Sequence, residues 1–397
     1  MDMKPVVAHR LPRDLYVAAG ARAASVLCNV VAVTALLLDF HDRGAGTWAV
    51  AGVLAAGALP IVLLAPVVGP VVDRWDSRRL IVLSSLWQAV VCALLAFVEE
   101  PRMMLALVAM NACGTAVTNP LFLALTSVMV SNGQLAPANS VQQGAVTIAT
   151  MVGPPIGGLL TGITGGARVP LLLDALIFVA IAGSSVLIGT RRRPSPDVPK
   201  PNGRAGMAML FTDRILAAMV SLAVLLALVV HLIYVAQVYL VRDTFGASAL
   251  AFGMLQATHT VGLLIGAVVA SRFNTVRRIV LGAPIAAAVM SVAIVLIGLG
   301  WSLSATFMLY VVAGVCMSLV SVSMGTLLLL RTPEPSIGRV TAGYTGIHRA
   351  AGLIAYGFGG LVVGLLRPEV VYVLSGTAAL VVVCVLVPTF RRAWRLC

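Results

Sequence analysis

The sequence predicts an all-α membrane protein, with twelve transmembrane helices in two pseudo-symmetric six-helix bundles. Three observations carry that expectation: a composition too apolar to coat a soluble surface, twelve apolar runs of spanning length, and a glycine pattern that returns 202 residues on. Of the 397 residues, 60% are hydrophobic and 10% charged, and the mean hydropathy is +1.03. A soluble domain uses roughly 25% charged residues to cover itself, so a soluble enzyme with one apolar core is excluded. The net charge of +13, from 27 basic and 14 acidic residues, fits a bilayer better than nucleic acid. Five of the six cysteines lie inside apolar runs and Cys397 is the last residue. Their spacing matches neither a disulfide framework nor a metal site, and no cofactor is expected.

The runs, bounded by charges or Gly/Pro clusters, are 15–39, 47–69, 79–98, 103–129, 139–163, 169–189, 214–240, 247–271, 278–299, 303–330, 338–366 and 369–390. At 1.5 Å per residue, each is long enough to cross about 30 Å of hydrocarbon. The first begins after Asp14, is too long for a secretory signal and has no small-residue cleavage site before further spans, so it reads as a retained helix. The gap between helices nine and ten, Gly300-Trp301-Ser302, is very short. Residues 191–213 hold Pro194, Pro196, Pro199, Pro201 and Gly203 among clustered arginines, which reads as an extended linker. It divides the chain into an N-terminal bundle, 1–190, and a C-terminal bundle, 214–397.

Lys and Arg on alternate sides set the orientation. Twenty of the 27 fall on the side holding the N-terminus, the linker and the tail, five fall on the other, and Arg22 and Arg349 lie within spans. Both termini are therefore expected in the cytoplasm. The halves echo each other: Gly144, Gly157 and Gly158 return as Gly346, Gly359 and Gly360, and Gly69-Pro70-Val71-Val72 returns as Gly266-Ala267-Val268-Val269. Such a set favours a duplicated six-helix unit.

The loop after helix two reads Gly69-Pro70-Val71-Val72-Asp73-Arg74-Trp75-Asp76-Ser77-Arg78-Arg79. Gly69 admits a close backbone, and Asp73 at a helix end can accept hydrogen bonds from the N-terminus of a neighbouring helix. On charge alone this is also an ordinary positive-inside loop. Its pattern resembles the signature of the major facilitator superfamily: a Gly, three residues, Asp-Arg, an aromatic, then basic residues. The resemblance implies a conformational latch of Gly69, Asp73, Arg74, Arg78 and Arg79 near the start of helix eleven, around 336–340. Asp76 stands where Gly is usual and Ser77 where a basic residue is usual; Asp73-Arg74-Trp75-Asp76 is similar to the macrolide-efflux and enterobactin-exporter-like branch.

Helix five carries Gly144 and then Gly153-Pro154-Pro155-Ile156-Gly157-Gly158. Twin prolines remove two helix donors, and glycines four apart allow close packing. Gly144, Gly153, Pro154, Gly157 and Gly158 resemble the antiporter motif of exporters. Gln134 through Ser140, Leu173-Asp174-Ala175-Leu176 and Gly338-Arg339-Val340 resemble the same branch. Asn29 stands where that branch often has an acid, and helix four offers Asn111 and Asn119 in place of an Arg-containing motif.

Polar groups in hydrocarbon are costly and usually face a bundle interior. Candidate substrate or proton-pathway residues are Arg22, Asn29, Asn111, Asp174, His231, Tyr234, Gln237 and Arg349. Arg22 either snorkels to headgroups or faces inward. Arg349, mid-helix, needs a carboxylate, a carbonyl cage or an anion. Asp174 is a candidate proton site or the partner of Arg168. His231 and His259 pack or carry protons, and Gln256 and Thr260 share a face with His259. Acids are scarce among these residues, so the expected substrate is neutral, zwitterionic or anionic. No HExxH, GxSxG or nucleotide-binding loop is present, so neither an enzyme nor ATP-driven transport is expected. The resemblance implies a monomeric secondary transporter of the bacterial inner membrane that exports a small amphipathic molecule, a drug, antibiotic or siderophore, against protons. Uptake or a lipid-like substrate in the same fold is the alternative, and a non-transporting membrane sensor is the second.

Overall fold

The computed structural model describes residues 12–131, 134–185, 210–211, 213–272, 275–333 and 336–395, with side chains except at 69, 70, 73, 74, 123, 127, 280 and 391–395. Twelve helices long and apolar enough to cross a membrane lie among them. They are α1 (Arg13–Asp42), α2 (Thr47–Arg74), α3 (Ser77–Leu95), α4 (Pro101–Met129), α5 (Leu135–Thr164), α6 (Arg168–Ser185), α7 (Arg214–Tyr239), α8 (Ala249–Ala270), α9 (Val276–Gly298), α10 (Leu303–Arg331), α11 (Ile337–Leu365) and α12 (Pro368–Arg395). A π turn, Leu240–Thr244, extends α7. The linker expected at 191–213 lies outside the described residues apart from Leu210, Phe211 and Asp213.

Side chains at the helix starts satisfy backbone donors that the helices leave open. Asp76 accepts from the amides of Arg78 and Arg79 at 3.0 and 3.1 Å and caps α3. Asp213 caps α7 through Ile215 and Leu216 at 2.8 and 3.1 Å, and its other oxygen pairs with Arg331 at 3.0 Å. Ser302 caps α10 through Ala305 at 3.1 Å, and Gly300, at φ +67°, makes the tight turn before it. Asp39, buried at 3% exposure, accepts from the Ala167 amide at 3.2 Å and pairs with Arg43 at 2.9 Å, so it tethers the α5–α6 turn to α1.

The packing repeats with a shift of six helices. In the first half α1 packs on α5 and α6, α2 on α4, and α3 on α4 and α6; in the second α7 packs on α11 and α12, α8 on α10, and α9 on α10 and α12. Between the halves α5 lies against α8 and α2 against α11, a pair of seams that the same shift exchanges.

Glycine makes both seams close, since only a residue without a Cβ lets backbones touch. A Cβ on Gly158 would run into the Ala249 carbonyl, and one on Gly253 into the Pro154 carbonyl. At the other seam Thr47 donates to the Gly360 carbonyl at 2.6 Å, and a Cβ on Gly364 would stand 2.8 Å from the Thr47 hydroxyl. Both contacts lie at the end of the molecule that holds the α1–α2 and α7–α8 turns. There one apolar cluster runs unbroken between the halves, with Leu36 and Phe40 of α1, Val50 of α2, Val238 of α7 and Phe252 of α8 among its members. Toward the α2–α3 loop, a second cluster, which includes Ala18, Leu80, Phe122 and Phe178, belongs to the first bundle alone.

Candidate functional site between the bundles

Charged side chains join the two halves beside the seams. Arg242 Nη2 donates to Asp42 Oδ1 at 2.9 Å, and His41 bridges Asp42 and Asp243 at 2.9 and 2.8 Å. The His41 ring also meets Tyr239 edge-on at 5.2 Å. This clasp and the seams close one end of a cavity of about 270 Å³. Asn29 and Thr34 of α1, Thr150 and Pro154 of α5, Tyr234 and Gln237 of α7, Gln256, His259 and Thr260 of α8 and Tyr310 of α10 line it, with Val30, Val33 and Leu263. Both bundles therefore contribute polar groups to one space, and its named lining includes no Asp, Glu, Lys or Arg. A larger groove of about 530 Å³, between α2 and α11, is lined almost wholly by small and apolar residues and lacks such groups.

The sequence-predicted residues divide among three places. Asn29, Tyr234 and Gln237 line the cavity. Asn29 is held there by α4, its amide donating at 3.0 Å to Thr115, which also accepts from Gln88 at 3.1 Å. Arg22, Asn111 and Asp174 lie inside the first bundle. Arg22 donates to Gln142 at 3.0 Å, and Gln142 in turn donates to Thr126. Asp174, 2% exposed, faces Cys28 of α1 and Cys92 of α3, and Cys92 reaches Asn111 at 3.9 Å. One Asp174 oxygen has no hydrogen-bond partner among the described residues. Arg168, the alternative partner weighed for Asp174, lies instead over the Phe97 ring at 4.6 Å. His231 and Arg349 lie in the second bundle. The His231 ring donates to the Ala227 carbonyl at 2.6 Å and meets Tyr234, Tyr356 and His348 edge-on. Arg349 is exposed on α11 beside His348.

Gly153 and Gly157 of the helix-five motif face α1, against Val30 and Thr34, while Pro154 and Gly158 face α8. Gly144 has open space around the position of a Cβ. In the expected latch, Gly69, Asp73 and Arg74 lie in the last turns of α2, and their side chains are outside the described ones. Arg78 is half-buried and Arg79 exposed in the first turn of α3. The glycine contacts between α2 and α11 lie at the opposite end of α2. Thr34 and Tyr310 are cavity residues that polar-stripe reasoning missed, because a lone Thr or Tyr in an apolar run does not stand out.

The Major Facilitator Superfamily sequence model matches residues 15–307. Macrolide efflux protein A of Streptococcus pyogenes is 23% identical over 281 residues, 66% of this chain. The match covers 66% of that protein, just under two thirds of its length. Among solved structures, a mutant form of the nucleoside transporter NupG superposes with a TM-score of 0.80 at 11% identity, over 95% of this chain and 99% of that one. A POT family transporter in complex with 5-aminolevulinic acid gives 0.78 at 14%, over 99% and 98%. A bacterial homolog of the human lysosomal transporter Spinster, inward-facing and unoccupied, gives 0.74 at 15%, over 98% of each chain. These likenesses establish the fold.

Proposed function

The chain belongs to the major facilitator superfamily and is a multi-pass membrane transporter, not an enzyme, and from that premise we propose that it exports a small amphipathic molecule in exchange for protons. The observation that carries the reading is the cavity between the bundles, lined by polar groups from both and closed at one end by two glycine seams and a charged clasp. A site reached from one face and shut at the other is one half of an alternating-access cycle, in which two repeats rock about a midplane site. Residues 1–190 and 214–397 are the rocking units, and 191–213 joins them. The positive-inside bias assigns the clasped end to the outside, so the structure is read as inward-facing, with both termini in the cytoplasm.

Export rather than uptake is supported by the likeness to the macrolide efflux protein and by the helix-five glycines, which serve both α1 and the α8 seam. Asp174 is the proposed proton site. It is buried in the spans with no countercharge among the described residues, and a bare charge so placed costs several kcal/mol unless it binds a proton. Asp73, Arg74, Arg78 and Arg79 form the latch that shuts the inner face in the opposite state. The protein works as a monomer in the bacterial inner membrane. In proteoliposomes with a reversible pH gradient, a panel of amphipathic antibiotics and siderophore-like acids should contain a compound that moves against proton flow and stops when the gradient is collapsed. Movement down the substrate gradient alone, indifferent to pH, would refute proton exchange.

A further inference from the structure

Four of the nine polar residues that line the cavity are already engaged. The Asn29 amide is spent on Thr115 at 3.0 Å, the Thr150 hydroxyl on the Val146 carbonyl at 2.9 Å and the Thr260 hydroxyl on the Gln256 carbonyl at 3.2 Å. The phenol of Tyr310 meets that of Tyr372 at 2.6 Å. Tyr234, Gln256 and His259 also line the space, and two further groups stand apart because they are fully buried. The amide nitrogen of Gln237, a residue 2% exposed, and the hydroxyl of Thr34, 1% exposed, are buried with no hydrogen-bond partner among the described residues. They come from α7 and α1, on opposite bundles, and line the same space.

A buried donor without a partner costs roughly 1–3 kcal/mol. A leucine at 237 or a valine at 34 would carry no such cost, so the pair makes physical sense where an occupant supplies acceptors. The charge of the site narrows that occupant. A cation stripped of water needs a carboxylate or equivalent, and the two carboxylates buried in the spans among the described residues are turned elsewhere. Asp174 faces Cys28 and Cys92 within the first bundle, and Asp39 is paired with Arg43. Val30, Val33, Leu263 and Pro154 supply the apolar remainder of the wall. At about 270 Å³ the space lies just below the roughly 300–1,000 Å³ of small-molecule sites.

We infer that the cavity selects an uncharged, oxygen-rich amphiphile, whose carbonyl, ether or hydroxyl oxygens accept from Gln237 and Thr34 and so join the two bundles. This inference rests on the cavity's being the transport site and names the chemistry that site accepts. The same two donors disfavour lipophilic cations, which bring no acceptor and find no countercharge.

The test measures binding, not transport, on the full chain in nanodiscs of neutral lipid. Equilibrium dialysis compares uncharged aryl glucosides and medium-ring lactones with aminomethyl analogues of the same scaffolds, which carry one positive charge, and with a bis-quaternary ammonium. The uncharged compounds should bind more tightly than their cationic analogues, and the dication should not compete. Gln237→Leu and Thr34→Val should each weaken binding of the uncharged compounds about 2- to 12-fold, the effect of losing one neutral hydrogen bond. Gln237→Glu, which places a carboxylate in the same position, should reverse the preference toward the amine by about tenfold, a gain that misfolding cannot mimic. Tighter binding of the dication, no binding of the uncharged compounds, or unchanged affinity in Gln237→Leu would each overturn the assignment. Failure of export alone, with this binding pattern intact, would count against the transport direction and leave the ligand chemistry standing.

Discussion

Arg242 reaches across the boundary between the bundles to place its guanidinium 2.9 Å from the carboxylate of Asp42, 200 residues away in sequence. The neighbouring His41–Asp243 contact, at 2.8 Å, doubles the link. Both pairs are partly exposed, so each is worth about 0.2–1 kcal/mol. In the proposed cycle, rocking breaks them once per turn. The double variant Asp42→Asn/Arg242→Gln should therefore raise the population open at this end by roughly 1.5- to 5-fold. Spin labels on the turns at 43–46 and 245–248 read that population directly, and an unchanged distance distribution would remove the clasp from the gating scheme.

The glycine seam makes a stronger demand. Gly158→Val puts a branched side chain where the Ala249 carbonyl stands, so the α5–α8 seam cannot close as it does here. Transport should fall more than tenfold while the variant still folds, because the clash is relieved when the halves part. Gly183→Val in α6, with open space around it, serves as the matched control and should leave the rate near wild type.

Asp174→Asn removes the proposed proton site and keeps the shape of the side chain. Transport driven by a pH gradient should be lost, whereas exchange of labelled for unlabelled substrate at equal pH should persist. Survival of gradient-driven export in this variant would move coupling to another residue.

For the inner latch, Asp73→Asn should cut turnover severely and leave substrate affinity within about twofold. Loss of affinity at an unaltered rate would contradict a gating role.

Helix number and order were legible because hydrocarbon imposes one length on every span. Helix ends were less so, because hydropathy reports where a chain becomes apolar and not where its backbone stops coiling. α5 thus begins at Leu135, ahead of the apolar run, and α1 continues through Asp42. In the site, Asn29, Tyr234 and Gln237 could be read from polar stripes. A stripe does not distinguish the space between helices of one bundle from the space between bundles, so Asn111 and Asp174 looked equivalent to Asn29 but lie behind it. Thr34 matters because its hydroxyl lacks the backbone partner that Thr150 and Thr260 have, a property of fold and not of spelling.

The turns at the clasped end are short: residues 43–46 join α1 to α2, 165–167 join α5 to α6, and 299–302 join α9 to α10. Hairpins so tight give neighbouring rods no slack to slide past one another, so each half must swing as a single solid lever. Relative travel between the levers is then left to the seams themselves, α5 against α8 and α2 against α11.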